Sequence, residues 1–108
     1  MRVLFVCGRN RRRSPTAEQY FADWPGIETA SAGLSPEADI ALTADLVGWA
    51  ELICVMESAR RRKLSQRFGA QLKGRRVACL NIPDDDEFMD PALIRRLEAS
   101  VPRLLRTR

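Results

Sequence analysis

The chain has 108 residues, 45% of them hydrophobic and 30% charged, and its net charge is +4 because 18 lysines and arginines outnumber 14 acidic residues. This length is enough for one domain with a modest core and too short for two, so we expect a single domain over residues 1–108. The chain has no histidine, which excludes Ser-His and Cys-His nucleophile schemes and zinc sites with imidazole ligands. We therefore expect chemistry that needs no metal or cofactor, with carboxylates as acids and bases.

The apolar segments and the cysteines indicate the cellular compartment of the protein. No segment approaches the roughly 18 to 20 apolar residues that cross a bilayer. The apolar run Val3–Val6 is short and precedes an arginine cluster, unlike a signal peptide. Three cysteines without paired spacing are not typical of a disulfide framework and fit a reducing compartment. The sequence thus predicts a cytoplasmic protein with no membrane partner.

The first predicted element is a strand over Arg2–Val6, whose apolar run is typical of a central parallel strand. Ser14 followed by Pro15 is typical of a helix N-cap and first helical residue, so residues 7–13 form the connecting loop. A strand-loop-helix turn aims backbone N–H groups and the positive end of the helix dipole at one point, which suits an anion. Cys7 opens this loop, and such surroundings favour the nucleophilic thiolate.

Strands and helices alternate along the rest of the chain. We predict a helix over 15–23, a short strand over 27–30, a helix capped by Thr43, a strand over 52–56, a helix over 58–68 capped by Ser58, a strand over 77–82 and a last helix opened by Asp90-Pro91. This alternation predicts an α/β fold, a single doubly wound domain with a four-stranded parallel sheet of order 2-1-3-4 and helices on both faces.

Ligands of such sheets bind beyond the carboxyl ends of the strands, at the point where the strand order reverses. Cys7 follows the first strand, and the acidic block 84–87 follows the fourth. Two distant parts of the chain are therefore predicted to meet at one site.

The N-terminal pattern also resembles a known family. Cys7, five further residues and Arg13-Ser14-Pro15, directly after a Val-Leu-Phe-Val strand, resemble the phosphate-binding loop of the low-molecular-weight protein tyrosine phosphatases. Asn10, Ala17-Glu18 and Ser31-Ala32-Gly33 match as well. The resemblance implies a metal-independent protein phosphatase that hydrolyses phosphomonoesters, of the phosphotyrosine type, through a cysteinyl-phosphate intermediate. Its partner would be a phosphoprotein or a small aryl phosphate.

The resemblance also implies roles for the loop residues. Cys7 is the nucleophile, and Arg13 holds the phosphate dianion bidentately. Ser31 is expected to hydrogen-bond Asn10 and so to support the loop. The predicted substrate-binding residues are Gly8, Arg9, Asn10, Arg11, Arg12 and Ser14, and the Ser14 hydroxyl can also donate to the thiolate.

The scheme needs a carboxylic acid that protonates the leaving oxygen and then activates water. The family carries an Asp-Pro pair after its last strand, and this chain has two partial matches. Asp84 matches by its position next to the strand, but Asp85 stands where the proline would be. Asp90-Pro91 matches by residue type but resembles an N-cap with proline at the first helical position. We favour Asp84 as the general acid.

Several features depart from the family. Its members are commonly about half as long again, so the chain resembles a short, truncated member that lacks part of the segment between Gly33 and Thr43 and part of the C-terminus. The segment after Gly33 has no aromatic residue, and the block after Asp84 offers only Phe88. A preference for phosphotyrosine is therefore left open. Arg12 replaces a second loop cysteine of the family, which predicts a shallower and more cationic mouth.

Two alternative functions remain. The family shares its fold with a group of arsenate reductases, but such a thiol oxidoreductase needs partner cysteines, and Cys54 and Cys79 are predicted to lie in the core. A phosphatase or binding module for nucleotide or RNA phosphate would use Arg9, the arginines over 11–13 and the basic run 60–63. The missing interleaved aromatics disfavour a nucleic-acid partner, and the run 60–63 is predicted to be a solvated helix face. The sequence does not determine the oligomeric state.

Overall fold

A parallel sheet lies at the centre of the protein, which is known from a computed structural model that describes residues 1–83 and 86–106. Its strands are β1 (Arg2–Cys7), β2 (Glu28–Gly33), β3 (Leu52–Val55) and β4 (Arg76–Cys79). They form a four-stranded sheet of order β2-β1-β3-β4, and every neighbouring pair is parallel. The predicted fold class and strand order are confirmed.

Helices pack on both faces of the sheet. One face carries α1 (Arg13–Phe21), α4 (Pro91–Ser100) and α5 (Pro102–Arg106), and the other carries α2 (Ala44–Trp49) and α3 (Ser58–Phe68). No helix of the described residues is long and apolar enough to cross a membrane.

The two faces explain why β1 is apolar throughout. Successive side chains of a strand point to opposite faces, so Val3 and Phe5 enter the core beneath α1 and α4, whereas Leu4 and Val6 enter the core beneath α2 and α3. The ring of Phe5 stacks on that of Phe21 at 5.9 Å between centroids. Full burial of each such side chain stabilises the fold by about 1.5–3 kcal/mol.

The segment predicted as one last helix starts where expected but forms two helices, α4 and α5. Asp90 is the N-cap of α4, where its side chain accepts a hydrogen bond from the Ala92 N–H, and Pro91 is the first helical residue. The buried apolar period of this segment continues through Val101, after which Pro102 starts α5. A proline at a first helical position has no N–H to leave unpaired, so the apolar face can continue across the break.

Two predicted N-caps are wrong. Helix α1 begins at Arg13 rather than Pro15, and its N-cap is Arg12, which makes no side-chain cap. The hydroxyl of Ser14 instead faces Cys7. Helix α3 begins at Ser58 itself and ends at Phe68 as predicted, but its N-cap is Glu57, whose side chain bonds Arg13 instead of the helix. The Thr43 cap on α2 is confirmed, since Thr43 accepts from the Leu46 N–H.

The C-terminal ends of β1 and β3 differ from the prediction by one residue, and those of β2 and β4 differ by three. Strand β2 continues to Gly33, because the Ser31-Ala32-Gly33 segment pairs with the last three residues of β1. Strand β4 ends at Cys79, short of the predicted Ile82. Asn81 has a φ of 56°, a left-handed conformation that does not occur within a regular strand.

Candidate active site

The carboxyl end of β1 and the start of α1 border a cavity of about 130 Å³. Cys7, the last residue of β1, lies in its wall. The other lining residues of the described chain are Gly8, Arg9, Arg11, Arg12, Arg13 and Arg60. The cavity therefore combines one thiol with five guanidinium groups, at the sheet edge where ligands of such folds bind.

The sulfur of Cys7 is held by hydrogen bonds rather than by apolar contacts alone. The backbone N–H of Asn10 donates to Sγ at 3.2 Å, and the Ser14 hydroxyl oxygen lies 2.8 Å from Sγ. Ser14 Oγ also accepts from the side-chain amide of Asn10 at 3.0 Å, which leaves the hydroxyl proton available to the sulfur. Two hydrogen-bond donors are therefore directed at one sulfur atom in the cavity wall.

The loop after β1 turns its carbonyls away from the cavity. The carbonyl oxygens of Cys7, Gly8 and Arg9 accept backbone hydrogen bonds of 2.8 to 3.1 Å from the segment 34–39. Since C=O and N–H point in opposite directions across a peptide bond, the following N–H groups point away from the segment 34–39, and that of Asn10 donates to the Cys7 sulfur in the cavity wall. Backbone donors exposed in this way suit an anion.

Close packing against β2 holds this loop. A Cβ at Gly33 would lie 2.4 Å from the Gly8 carbonyl oxygen and 3.0 Å from the Asn10 nitrogen, so only glycine fits there. Asn10 itself has a φ of 58°, a conformation that asparagine tolerates better than most residues. Gly33 of the Ser31-Ala32-Gly33 motif therefore allows the loop to pack closely against β2.

Arg13 is fixed at the cavity wall. Its side chain is only 3% exposed, Nη1 donates to the Ile82 carbonyl at 2.7 Å, and Nη2 donates to Glu57 Oε1 at 3.1 Å. These partners follow β4 and β3 respectively, so residues beyond two strand ends orient one guanidinium. A fixed, planar guanidinium is well suited to bidentate phosphate binding.

Sequence reasoning missed two residues of the site, Glu57 and Arg60. Arg60 belongs to the run predicted to be a solvated helix face, but its guanidinium lies over Gly8, where an added Cβ would be 2.7 Å from Nη2. Its Nε is 3.5 Å from Glu57 Oε1. The rest of that run, residues 61–63, is exposed as predicted. Their positions in the sequence could have indicated both residues. Glu57 directly follows the third predicted strand, at the sheet edge where the site was expected, and Arg60 lies one helical turn further.

The structure gives Ser31 and Asn10 partners that differ from the expected mutual bond. Ser31 Oγ donates to Glu18 Oε1 at 2.5 Å, and the Asn10 side-chain amide donates to Ser14. A carboxylate accepts more strongly than an amide oxygen, which explains why Glu18 on α1 takes the Ser31 hydroxyl. Ser31 therefore ties β2 to α1 and reaches the loop only indirectly.

The structure describes only one of the two carboxylates considered as the general acid. Asp84 lies outside the described residues. Asp90 lies within them, and its Oδ1 accepts the cap bond from the Ala92 N–H at 2.8 Å. Phe88, the aromatic residue after Asp84, is 47% exposed and borders a different depression, beside Pro15 of α1.

The other two cysteines differ in burial, since Cys54 lies in the core as predicted whereas Cys79 is only partly buried. Cys54 in β3 is fully buried, and this burial raises the pKa of its thiol to about 12. The Cys79 thiol donates to the Asn81 side-chain oxygen at 3.3 Å. All three cysteines are free thiols. Since the thiolate is the reactive form, Cys54 is unsuited to attack a bond on Cys7.

Solved structures with this fold include several phosphatases. The YwlE arginine phosphatase from Geobacillus stearothermophilus has a TM-score of 0.67 at 24% identity, covering 97% of this chain and 93% of that one. The tyrosine phosphatase Wzb from Escherichia coli K30, in complex with phosphate, has a TM-score of 0.78 at 19% identity, covering 97% and 96%. A C7S mutant of YwlE arginine phosphatase with a phosphorylated active-site serine has a TM-score of 0.70 at 21% identity, covering 100% and 98%. No protein-family model and no curated protein matches the sequence. The likeness establishes the α/β fold of the low-molecular-weight phosphatases.

Proposed function

We propose that the chain is a metal-independent phosphatase that hydrolyses phosphomonoesters through a cysteinyl-phosphate intermediate on Cys7. The observation that carries this proposal is the hydrogen bonding of the Cys7 sulfur, which accepts from the Asn10 N–H beside the Ser14 hydroxyl in a cavity that Arg13 also lines. A sulfur nucleophile that accepts hydrogen bonds beside an anion-binding cavity is an arrangement suited to phosphoryl transfer.

The first step forms the S–P bond. The phosphoryl oxygens bind the loop N–H groups and the Arg13 guanidinium, which stabilise the charge that spreads over them in the transition state. The Cys7 thiolate attacks phosphorus in line, and the P–O bond to the leaving group breaks with its electron pair on oxygen. A carboxylic acid, which we assign to Asp84, donates its proton to that oxygen, so the alcohol or phenol leaves neutral.

The second step regenerates the enzyme. A water molecule attacks the phosphorus of the cysteinyl-phosphate, and the Asp84 carboxylate accepts the proton of that water. The S–P bond breaks with its electrons on sulfur, where the Asn10 N–H and the Ser14 hydroxyl stabilise the returning thiolate. Inorganic phosphate then leaves the cavity. A thiol that must stay reduced suits the cytoplasm, where we place the protein.

The fold supports this proposal, because structures that share it are named arginine and tyrosine phosphatases. The substrate we propose is a phosphorylated protein or a small aryl phosphate. The cavity is small, at about 130 Å³, and its described lining contains no aromatic side chain, so the phosphoryl group rather than an aromatic ring provides the main contacts.

The test is hydrolysis of para-nitrophenyl phosphate with and without a metal chelator, combined with acid quenching to trap the phosphoenzyme. We expect turnover that the chelator does not reduce, and phosphate attached to the peptide that contains Cys7. The C7S variant should lose turnover while still binding inorganic phosphate, because the loop and Arg13 remain. The C79S variant is the matched control and should stay active. Activity retained by C7S, or phosphate trapped on another residue, would disprove the mechanism.

A further inference from the structure

The cavity carries more positive charge than a single phosphoryl group requires. The loop N–H groups and the buried Arg13 already supply the donors for a phosphate dianion. Four more arginines line the same cavity, namely Arg9, Arg11, Arg12 and Arg60. Like charges around a small cavity repel one another, so their convergence there points to a ligand with further negative charge.

The outer arginines differ in how their charge is neutralised. Arg9 and Arg11 form exposed ion pairs with Glu37 and Asp39, at 3.8 and 3.3 Å. The exposed side chain of Arg12 pairs with no carboxylate among the described residues. Arg12 therefore brings a charge that residues 1–83 and 86–106 do not neutralise.

The side chain of Arg60 is more closely packed than that of a typical surface arginine. Its guanidinium covers Gly8, and its side chain is 28% exposed although α3 presents the following residues to solvent. Glu57 Oε1 lies 3.5 Å from Arg60 Nε and 3.1 Å from Arg13 Nη2, so a single carboxylate is shared between two cations. Arg60 forms no other ion pair or hydrogen bond among the described residues, so its Nη1 and Nη2 donors are available to a ligand.

The direction of in-line attack shows which part of the substrate lies near the exposed arginines. The nucleophilic sulfur belongs to a residue only 3% exposed, and in-line displacement puts the leaving oxygen on the opposite side of phosphorus, towards the mouth of the cavity. The exposed loop arginines lie at that mouth. The leaving group, rather than the transferred phosphoryl group, therefore passes the exposed loop arginines, and of these Arg12 has no carboxylate partner among the described residues.

We propose that the physiological substrate carries a second anionic group, a phosphate or a carboxylate, on its leaving group, and that Arg12 and Arg60 bind this group. The inference rests on the proposed phosphatase function and narrows its substrate class. It makes Arg12 and Arg60 residues that determine specificity, in addition to any part they take in binding the transferred phosphoryl group.

A series of matched aryl esters tests the proposal. The series comprises phenyl phosphate, its neutral 3-carbamoyl derivative, its 3-carboxy derivative and 1,3-phenylene bisphosphate. We expect kcat/KM for the carboxy ester or the bisphosphate to exceed that for the carbamoyl ester by about tenfold or more, as charge-assisted hydrogen bonds predict. Comparison of the two charged esters distinguishes a carboxylate from a phosphate as the preferred group. The advantage should shrink as ionic strength rises.

The variants R12Q and R60Q, singly and combined, identify the residues responsible. The ratio of charged to neutral ester should fall in each and approach unity in the double variant, whatever happens to the absolute rates. R62Q removes the same charge from an exposed position on α3 and should keep the wild-type ratio. A wild-type ratio near unity, or a ratio that the double variant retains, would overturn the inference while leaving the phosphatase intact. If the wild type hydrolyses none of the esters, the proposed function itself fails.

Discussion

The carboxylate of Glu57 accepts a hydrogen bond from the buried guanidinium of Arg13, with 3.1 Å between Oε1 and Nη2. The two residues are 44 positions apart and meet because β1 and β3 are neighbours in the sheet. Glu57 also lies beside Arg60, so one side chain orients two of the arginines that line the cavity.

We predict that E57Q weakens phosphate binding about tenfold and lowers the free energy of unfolding by about 1–2 kcal/mol, since Arg13 is buried but Glu57 is partly exposed. The measurements are KM and phosphate inhibition with para-nitrophenyl phosphate, and thermal denaturation. E37Q is the matched control. It removes an exposed partner of Arg9 at 3.8 Å and should change stability by less than about 0.5 kcal/mol. Equal effects of the two variants would contradict the role of Glu57.

The hydroxyl of Ser14 gives a second prediction. S14A removes a donor to the Cys7 sulfur, and a hydrogen bond to a charged group contributes about 1.5–3 kcal/mol. We therefore expect kcat/KM for para-nitrophenyl phosphate to fall about tenfold to hundredfold. S100A removes a hydroxyl that bonds the Arg96 carbonyl on α4, away from the cavity, and should behave as wild type. Wild-type rates in S14A would show that the thiolate does not need this donor.

The identity of the general acid gives a third prediction. D84N should lower kcat most for esters with poor leaving groups, such as phenyl phosphate, and should remove the high-pH limb of the pH–rate profile, because an amide cannot donate the proton. D90N should keep both the rate and the profile, since asparagine is as good an N-cap as aspartate. The reverse result would assign the acid to Asp90.

The cysteines give a fourth prediction, on thiol reactivity. Burial raises the pKa of Cys54 to about 12, so this thiol is almost entirely protonated near neutral pH. We expect iodoacetamide at pH 7–8 to modify Cys7 and to leave Cys54 unmodified in the native protein, as read by peptide mass spectrometry. Inorganic phosphate should protect Cys7 from the reagent. Fast labelling of Cys54, or no protection of Cys7, would contradict the assigned environments.

The pattern of the chain predicted most of the fold because its signals are local. The buried run of β1 and the spacing of Leu93 and Leu97 in α4 each report which residues face a core, and the alternation of strands and helices allows few topologies. The N-caps were predicted less well. The side chains of Ser14 and Glu57 have partners elsewhere in the structure, and such partners are invisible to a rule that considers only neighbours in sequence.

By itself, the sequence determined that a cysteine directly follows the apolar run of the first strand and that Arg13 follows within the next loop, because short-range chain geometry and apolar periodicity depend on consecutive residues. Only the tertiary structure decided that Arg60, and not its neighbours in the basic run 60–63, lies against Gly8. All four residues of that run have the same charge and similar helix propensity, so nothing local separates them. Which of them reaches the site depends on how α3 leaves β3 beside β1, a relationship that exists only once the sheet has formed.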